Sequence, residues 1–168
     1  MAKLPLTVCI ATRNEAHNLQ ECVERIRRGN PAQLIIVDAG SFDGTAKLAY
    51  ELDAEVIETE PRGLAWQRQL GLDQVSYPYV ALVDAHDRLD QACLPTLLRE
   101  MQENDWHAIQ AELLVLNENT YWERAYSFNS KLSLNRPGPT NMVGRPCIYQ
   151  TEAIRAVGFD PFFGFGVG

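Results

Sequence analysis

Tyr79-Val80-Ala81-Leu82-Val83-Asp84-Ala85-His86-Asp87 begins as an apolar run with β-branched residues and ends abruptly in three groups able to ligate a metal or accept a proton. A short apolar run of this kind reads as a buried strand, and a buried strand can display polar chemistry only at its end. Residues i and i+2 of an extended chain point to the same side, so Asp84 and His86 can face one ligand together. A carboxylate beside an imidazole suits a divalent cation, which could in turn hold a diphosphate. Taken alone, the stretch allows a plainer account equally well: Asp84 caps the next turn and His86 pairs with Asp87.

Working outward, the same pattern recurs. Leu6–Ala11 reads as a first strand, broken by the polar Thr12-Arg13-Asn14-Glu15. A helix from about Asn18 to Arg28 follows, with Leu19, Cys22, Val23 and Ile26 on one face, and Gly29-Asn30-Pro31 stops it. Leu34–Val37 is a second buried strand, ended by Asp38-Ala39-Gly40-Ser41. Asp43-Gly44-Thr45 opens a helix to about Leu52, and Glu55–Glu58 is a third strand. Further helices run from Gly63 to about Val75 and from about Gln91 to Glu103. Strand and helix alternating at this spacing predict right-handed βαβ units around a parallel sheet. The three polar breaks all follow strands, so they gather at the carboxyl edge of the sheet, where open α/β sheets bind ligands.

After Asp105 the pattern changes. Ile109–Leu116 reads as a longer strand, and Tyr121–Leu134 as a helix whose aromatic face is expected in the core, with contact to an acceptor or a membrane surface as the lesser reading. Residues 135–141 form a loop, Pro146–Tyr149 a short strand, and Thr151 caps a brief helix ended by Gly158.

Composition sets the outer limits. The 168 residues suffice for one domain with a sizeable core. No apolar run approaches the roughly 20 residues of a transmembrane helix, and the first residues lack a secretory leader's apolar core. Cys9, Cys22, Cys93 and Cys147 are scattered without a CxxC pair, which predicts reduced packing cysteines and a cytoplasmic setting. A net charge of −7 argues against nucleic acid as a partner, so an anionic ligand needs a local Arg cluster or a metal.

The segments Leu6–Glu15, Leu34–Thr45, Arg62–Gly71, Tyr79–Leu89 and Arg145–Asp160, in this order, resemble a family 2 glycosyltransferase over nearly the whole chain. Either VDAGSFDGT or VDAHD alone is a weak signal; both at this distance are specific. The resemblance implies a GT-A fold, a Rossmann-like, mostly parallel sheet flanked by helices. Residues 1–105 would form the half that binds the nucleotide sugar, and 106–168 the start of an acceptor-binding half. Thr12, Arg13 and Glu15 would lie in the first nucleotide-binding loop, and Asp38 would hydrogen-bond the base or ribose. Asp43, in the same turn, reads better as a helix cap than as a ligand contact. Arg62 and Arg68 would neutralise the diphosphate, although Arg68 could equally be a solvated helix residue. Asp84 and His86 occupy the two ends of the family's DxD motif, which holds the metal that bridges the donor's phosphates.

Departures from the pattern shape the expectation. His86 stands where the family usually has Asp, which favours Mn²⁺ over Mg²⁺. Arg13 replaces a common aromatic and can itself stack on a base; Gln69 replaces a common Asn. The implied reaction is inverting transfer from a nucleoside-diphosphate sugar, UDP-linked, to a hydroxyl of a glycan or lipid-linked acceptor, with peripheral membrane contact allowed. The family sets its carboxylate base after a glycine-containing turn that follows Gly158-Phe159-Asp160. That places the base beyond Gly168 and predicts a C-terminally incomplete domain. Nucleotidyl transfer would call for a Gly-rich basic loop after the first strand, which Thr12–Asn18 is not. A receiver-like signalling domain would need a strand-end Lys, whereas Lys47 and Lys131 fall in helices. A relative that binds nucleotide sugars without transferring them remains the alternative.

Overall fold

Leu6, Val8 and Ile10 face one side of the first strand and Cys9 the other, and that alternation divides the core between two faces of one sheet. The computed structural model describes residues 2–115, 118–133, 138, 144 and 146–160. Its elements are β1 (Leu4–Thr12), α1 (Ala16–Arg28), β2 (Pro31–Asp38), α2 (Thr45–Glu51), β3 (Glu55–Glu58) and α3 (Leu64–Asp73). They continue with β4 (Tyr79–Asp84), α4 (Cys93–Glu103), β5 (Ala108–Gln110), α5 (Tyr121–Ser133), β6 (Cys147–Gln150) and α6 (Thr151–Val157).

The six strands form one sheet in the order β3-β2-β1-β4-β6-β5. The first four run parallel, and β6 pairs antiparallel with both β4 and β5. The order reverses between β1 and β4, which opens the crevice at their carboxyl ends that α/β sheets use for ligands. Leu19, Cys22, Val23 and Ile26 of α1 and Leu94, Leu98 and Met101 of α4 cover one face, against Ile10, Ile36, Ala81 and Val83. Leu72 of α3 and Ile154 of α6 cover the other, against Cys9, Ile35, Val37, Val80 and Leu82. Gly71 lets α3 come this close: a Cβ there would collide with Cys9 Sγ and meet Val37 Cγ2 at 3.3 Å.

Three expectations are corrected. The strand expected over Ile109–Leu116 ends at Gln110, paired with Cys147. The next residue of its partner is Pro146, which has no N–H to extend the ladder, and Ala111 N–H donates to the Pro146 carbonyl as the chain leaves the sheet. Thr151 does not cap α6. Gln150 is the N-cap, and the Thr151 hydroxyl instead donates to the Tyr77 carbonyl.

The aromatic face of α5 is not core. Trp122 is 78% exposed and Phe128 66%, whereas Ser127 and Ser130 are buried. Ser127 Oγ donates to Glu118 Oε1 in the segment just before the helix, and Ser130 Oγ to the Ser127 carbonyl within it. Residues 135–137 and 139–141 of the predicted loop, and residues 161–168 after Asp160, lie outside the described residues.

Candidate active site

Parallel register sets the strand ends in one row. Thr12 pairs with Asp38, Ala11 with Asp84, and Asp38 with Glu58. Two loops rise from this row and are stitched together by side chains. Asp38 is 1% exposed; its Oδ1 accepts from the Ser41 and Thr12 hydroxyls, at 2.5 and 3.2 Å, and its Oδ2 accepts from Ser41 N–H. Ser41 Oγ accepts Asn14 N–H, Thr45 Oγ1 accepts Glu15 N–H, and Asp43 Oδ2 accepts Ala16 N–H. Asn14 reaches φ 56°, a left-handed conformation that Asn tolerates, and its Oδ1 accepts Phe42 N–H. The carboxylates of VDAGSFDGT therefore build the loop. The Thr45 hydroxyl foremost, with Ala16 N–H, holds the Asp43 carboxyl below the usual range. Gln67, buried on α3, donates to the carbonyls of both Thr12 and Val37 and fixes the ends of β1 and β2 to each other.

At the end of β4 a turn closes by Asp87 N–H donating to the Asp84 carbonyl and Asp84 N–H donating to Asp87 Oδ2. Asp87, not Asp84, thus supplies the turn's side-chain cap. His86 faces Glu15 and Asp84: its Nδ1 lies 3.9 Å from Glu15 Oε1 and its Nε2 4.0 Å from Asp84 Oδ2. Arg68 Nη2 lies 3.8 Å from Asp84 Oδ1 with the side chain mostly buried, so Arg68 faces the strand end and is not a solvated helix residue.

The structure thus brings Glu15, Arg68, Asp84 and His86 together. Arg62 stands apart, its guanidinium 5.2 Å over the Trp66 ring and its Nη2 3.5 Å from Glu60. Arg13 is exposed on the first loop.

A further set of residues was not foreseen from the sequence. Arg88 is largely buried; its Nε pairs with Glu21 Oε2 at 2.8 Å and its Nη2 donates to Asn18 Oδ1 at 2.8 Å. Asn18 Nδ2 in turn donates to Glu15 Oε2 at 2.8 Å. The side-chain bond from Arg25 foremost, with Arg88 adding, lowers the Glu21 carboxyl. The signal available was faint: an Arg two residues after His86, with no spacing that links it to Asn18. Beside this group lies a cleft of about 880 Å³ lined by Asp84, His86, Leu97, Leu114 and Tyr126 among others.

The thiols near the site are buried or half-buried. Burial foremost pushes Cys9 and Cys22 up to about 12 and Cys93 to about 11. All four cysteines are free, and none of the helices among the described residues is long and apolar enough to cross a membrane.

Asp84 Oδ2 and His86 Nε2, 4.0 Å apart, are separated by roughly twice a metal–ligand bond of about 2.0–2.2 Å, so one cation can touch both. Among the described residues no group of three or more His, Cys, Asp and Glu is arranged to hold a metal by itself. The donor set fits a cation that takes its other ligands from water or a bound anion.

The family model described as Glycosyl transferase family 2 matches residues 7–162. Lipopolysaccharide core biosynthesis glycosyltransferase LpsC of Rhizobium meliloti (strain 1021) is 42% identical over 109 residues, 60% of this chain and 40% of that protein. The structure of S. aureus TarS 1-349 in complex with UDP-GlcNAc is similar with TM-score 0.70 at 15% identity, over 92% of this chain and 47% of that one. Glucosyl-3-phosphoglycerate synthase from Mycobacterium tuberculosis, with Mn²⁺, UDP and glucosyl-3-phosphoglycerate, gives TM-score 0.65 at 15% identity, over 89% and 57%. This chain therefore spans between 40% and 57% of each of these relatives, and at 15% identity the structural likeness shows a shared fold.

Proposed function

The chain belongs to glycosyl transferase family 2, and on that premise we propose that it moves a sugar from a UDP-sugar to a hydroxyl of a surface-glycan acceptor, with a divalent cation. The observation that carries this reading is the pairing of Asp84 with His86 at the end of β4, beside the crevice between β1 and β4. Arg13 would flank the nucleotide, in a loop whose shape the buried Thr12, expected at the nucleotide, and Asp38 maintain between them. Arg68 would offset charge beside Asp84, and Arg62, on its Trp66 platform, would reach the outer phosphate side. Asp84 and His86 would hold the cation, which when bound stabilises charge that develops on the leaving diphosphate.

Neighbours solved with UDP-GlcNAc, or with UDP and Mn²⁺, support the choice of donor and cation, and the name of LpsC supports a lipopolysaccharide-type acceptor. The exposed aromatic face of α5 suits peripheral contact with a membrane that carries such an acceptor. Free thiols favour a cytoplasmic setting.

The test is release of UDP from a panel of UDP-sugars, with candidate acceptors, in Mn²⁺, Mg²⁺ or EDTA. Release should need a cation and favour Mn²⁺, because imidazole suits the softer ion, and His86→Asp should improve use of Mg²⁺. Release that is unchanged in EDTA contradicts the proposal, and equal use of both ions by the native protein removes His86 from the ligand set.

A further inference from the structure

We propose that Glu15 is a positioning residue for His86: its carboxylate accepts a hydrogen bond from His86 Nδ1–H and so leaves Nε2 on the Asp84 side for the cation. The inference rests on the reading that His86 is a ligand, and it moves Glu15 from contact with the donor to orientation of the protein's own imidazole. A metal-bound His almost always donates its other ring N–H to a carboxylate, carbonyl or water, which fixes both tautomer and ring orientation.

The two ring nitrogens face two different carboxylates here. Nδ1 lies 3.9 Å from Glu15 Oε1 and Nε2 lies 4.0 Å from Asp84 Oδ2. A swing of about 1 Å by this 62% exposed ring brings Nδ1 within hydrogen-bond reach of Glu15.

The two carboxylates are not equivalent acceptors. Asp84 shares its charge with Arg68 Nη2, 3.8 Å from Oδ1, which makes it the weaker partner for a ring proton. Glu15 is gripped at Oε2 by Asn18 at 2.8 Å, and Oε1 is the oxygen turned to His86. Behind it, Asn18 Oδ1 accepts from Arg88 Nη2, and Arg88 Nε is paired with Glu21. Arg88 is largely buried, so this brace runs from the surface of α1 to the back of Glu15 and restricts its rotamers. The backbone of Glu15 is fixed as well, by donation to Thr45 Oγ1. Glu15, half-buried, is thus held at its backbone and at Oε2, and its free oxygen Oε1 is turned to the imidazole.

The test uses the whole chain without metal and then with Mn²⁺. In metal-free protein at pH 8, ring ¹⁵N shifts of His86, identified by their loss in His86→Gln, should report the Nδ1–H tautomer. Glu15→Ala should shift the ring toward the Nε2–H form and weaken Mn²⁺ about 10- to 100-fold, the usual loss on removal of a ligand's orienting partner. Glu15→Gln keeps the side chain's shape and an acceptor oxygen, so it should retain the Nδ1–H tautomer and lose less Mn²⁺ affinity than Glu15→Ala. In a His86→Ala background, Glu15→Ala should change Mn²⁺ affinity no further.

An Nε2–H tautomer in the native protein, or Mn²⁺ affinity unchanged by Glu15→Ala while His86→Ala lowers it, overturns the inference and leaves the ligand reading standing. If His86→Ala itself leaves Mn²⁺ affinity unchanged, the ligand reading fails, and with it the role of Glu15. Weaker UDP binding by Glu15→Ala in EDTA would return Glu15 to the donor contacts and also overturn the inference.

Discussion

At the scale of single residues, the chemistry depends on which polar groups the fold holds and which it presents. Asp38 and Asp84 end neighbouring strands and look alike in sequence, yet Asp38 is sealed by Thr12 and Ser41 while Asp84 faces Arg68 and His86. Cysteine reactivity gives an independent check on this placement. With thiols raised to about 12 at Cys9 and Cys22 and about 11 at Cys93, thiolate is scarce at pH 8 and access decides the order of reaction. Partly exposed Cys93 should react first and slowly with a disulfide reagent, and the three buried thiols only on unfolding; fast labelling of Cys9 in native protein would contradict the packing of α3 on β1. Asp84 and His86 were legible in the sequence because an apolar run stops at them. The burial of Asp38 was not, because it depends on Ser41 folding back, nor was the brace behind Glu15, because Asn18 and Arg88 are 70 residues apart in the chain.

At the scale of elements, the parallel strands could be read directly, since strands buried on both faces are continuous apolar runs. The extent of β5 could not, because it is decided by a proline on the neighbouring strand. The aromatic face of α5 misled for a related reason: an apolar helix face predicts burial but does not name what it is buried against. Two substitutions test these placements. Gly71→Ala forces a methyl into Cys9 Sγ and should destabilise by about 1–3 kcal/mol, the range for overpacking, read from urea unfolding. An unchanged midpoint would mean that α3 and β1 are further apart. Conversely, Trp122→Ser with Phe128→Ser removes exposed surface and should change stability by no more than about 0.5 kcal/mol per site. A loss above about 2 kcal/mol would show that the face is packed.

At the scale of the whole molecule, the GT-A sheet sets the Asp84–His86 pair, the loop built on Asp38 and a cleft along one edge. Parallel register aligns Thr12, Asp38 and Asp84, and the reversal of strand order beside β4 opens the space they border. The net charge of −7 gives a diphosphate no general attraction to the chain, which makes cation and arginine the means of attraction. The central claim is therefore that UDP binds here through a cation held by Asp84. Calorimetry of UDP binding to native protein and to Asp84→Asn, each with Mn²⁺ and with EDTA, tests it most directly. The account predicts that affinity falls at least about tenfold, on the scale of a lost charge-assisted contact, both on chelation and in the variant. Equal affinity in Mn²⁺ and EDTA, or no UDP binding in either, would contradict it.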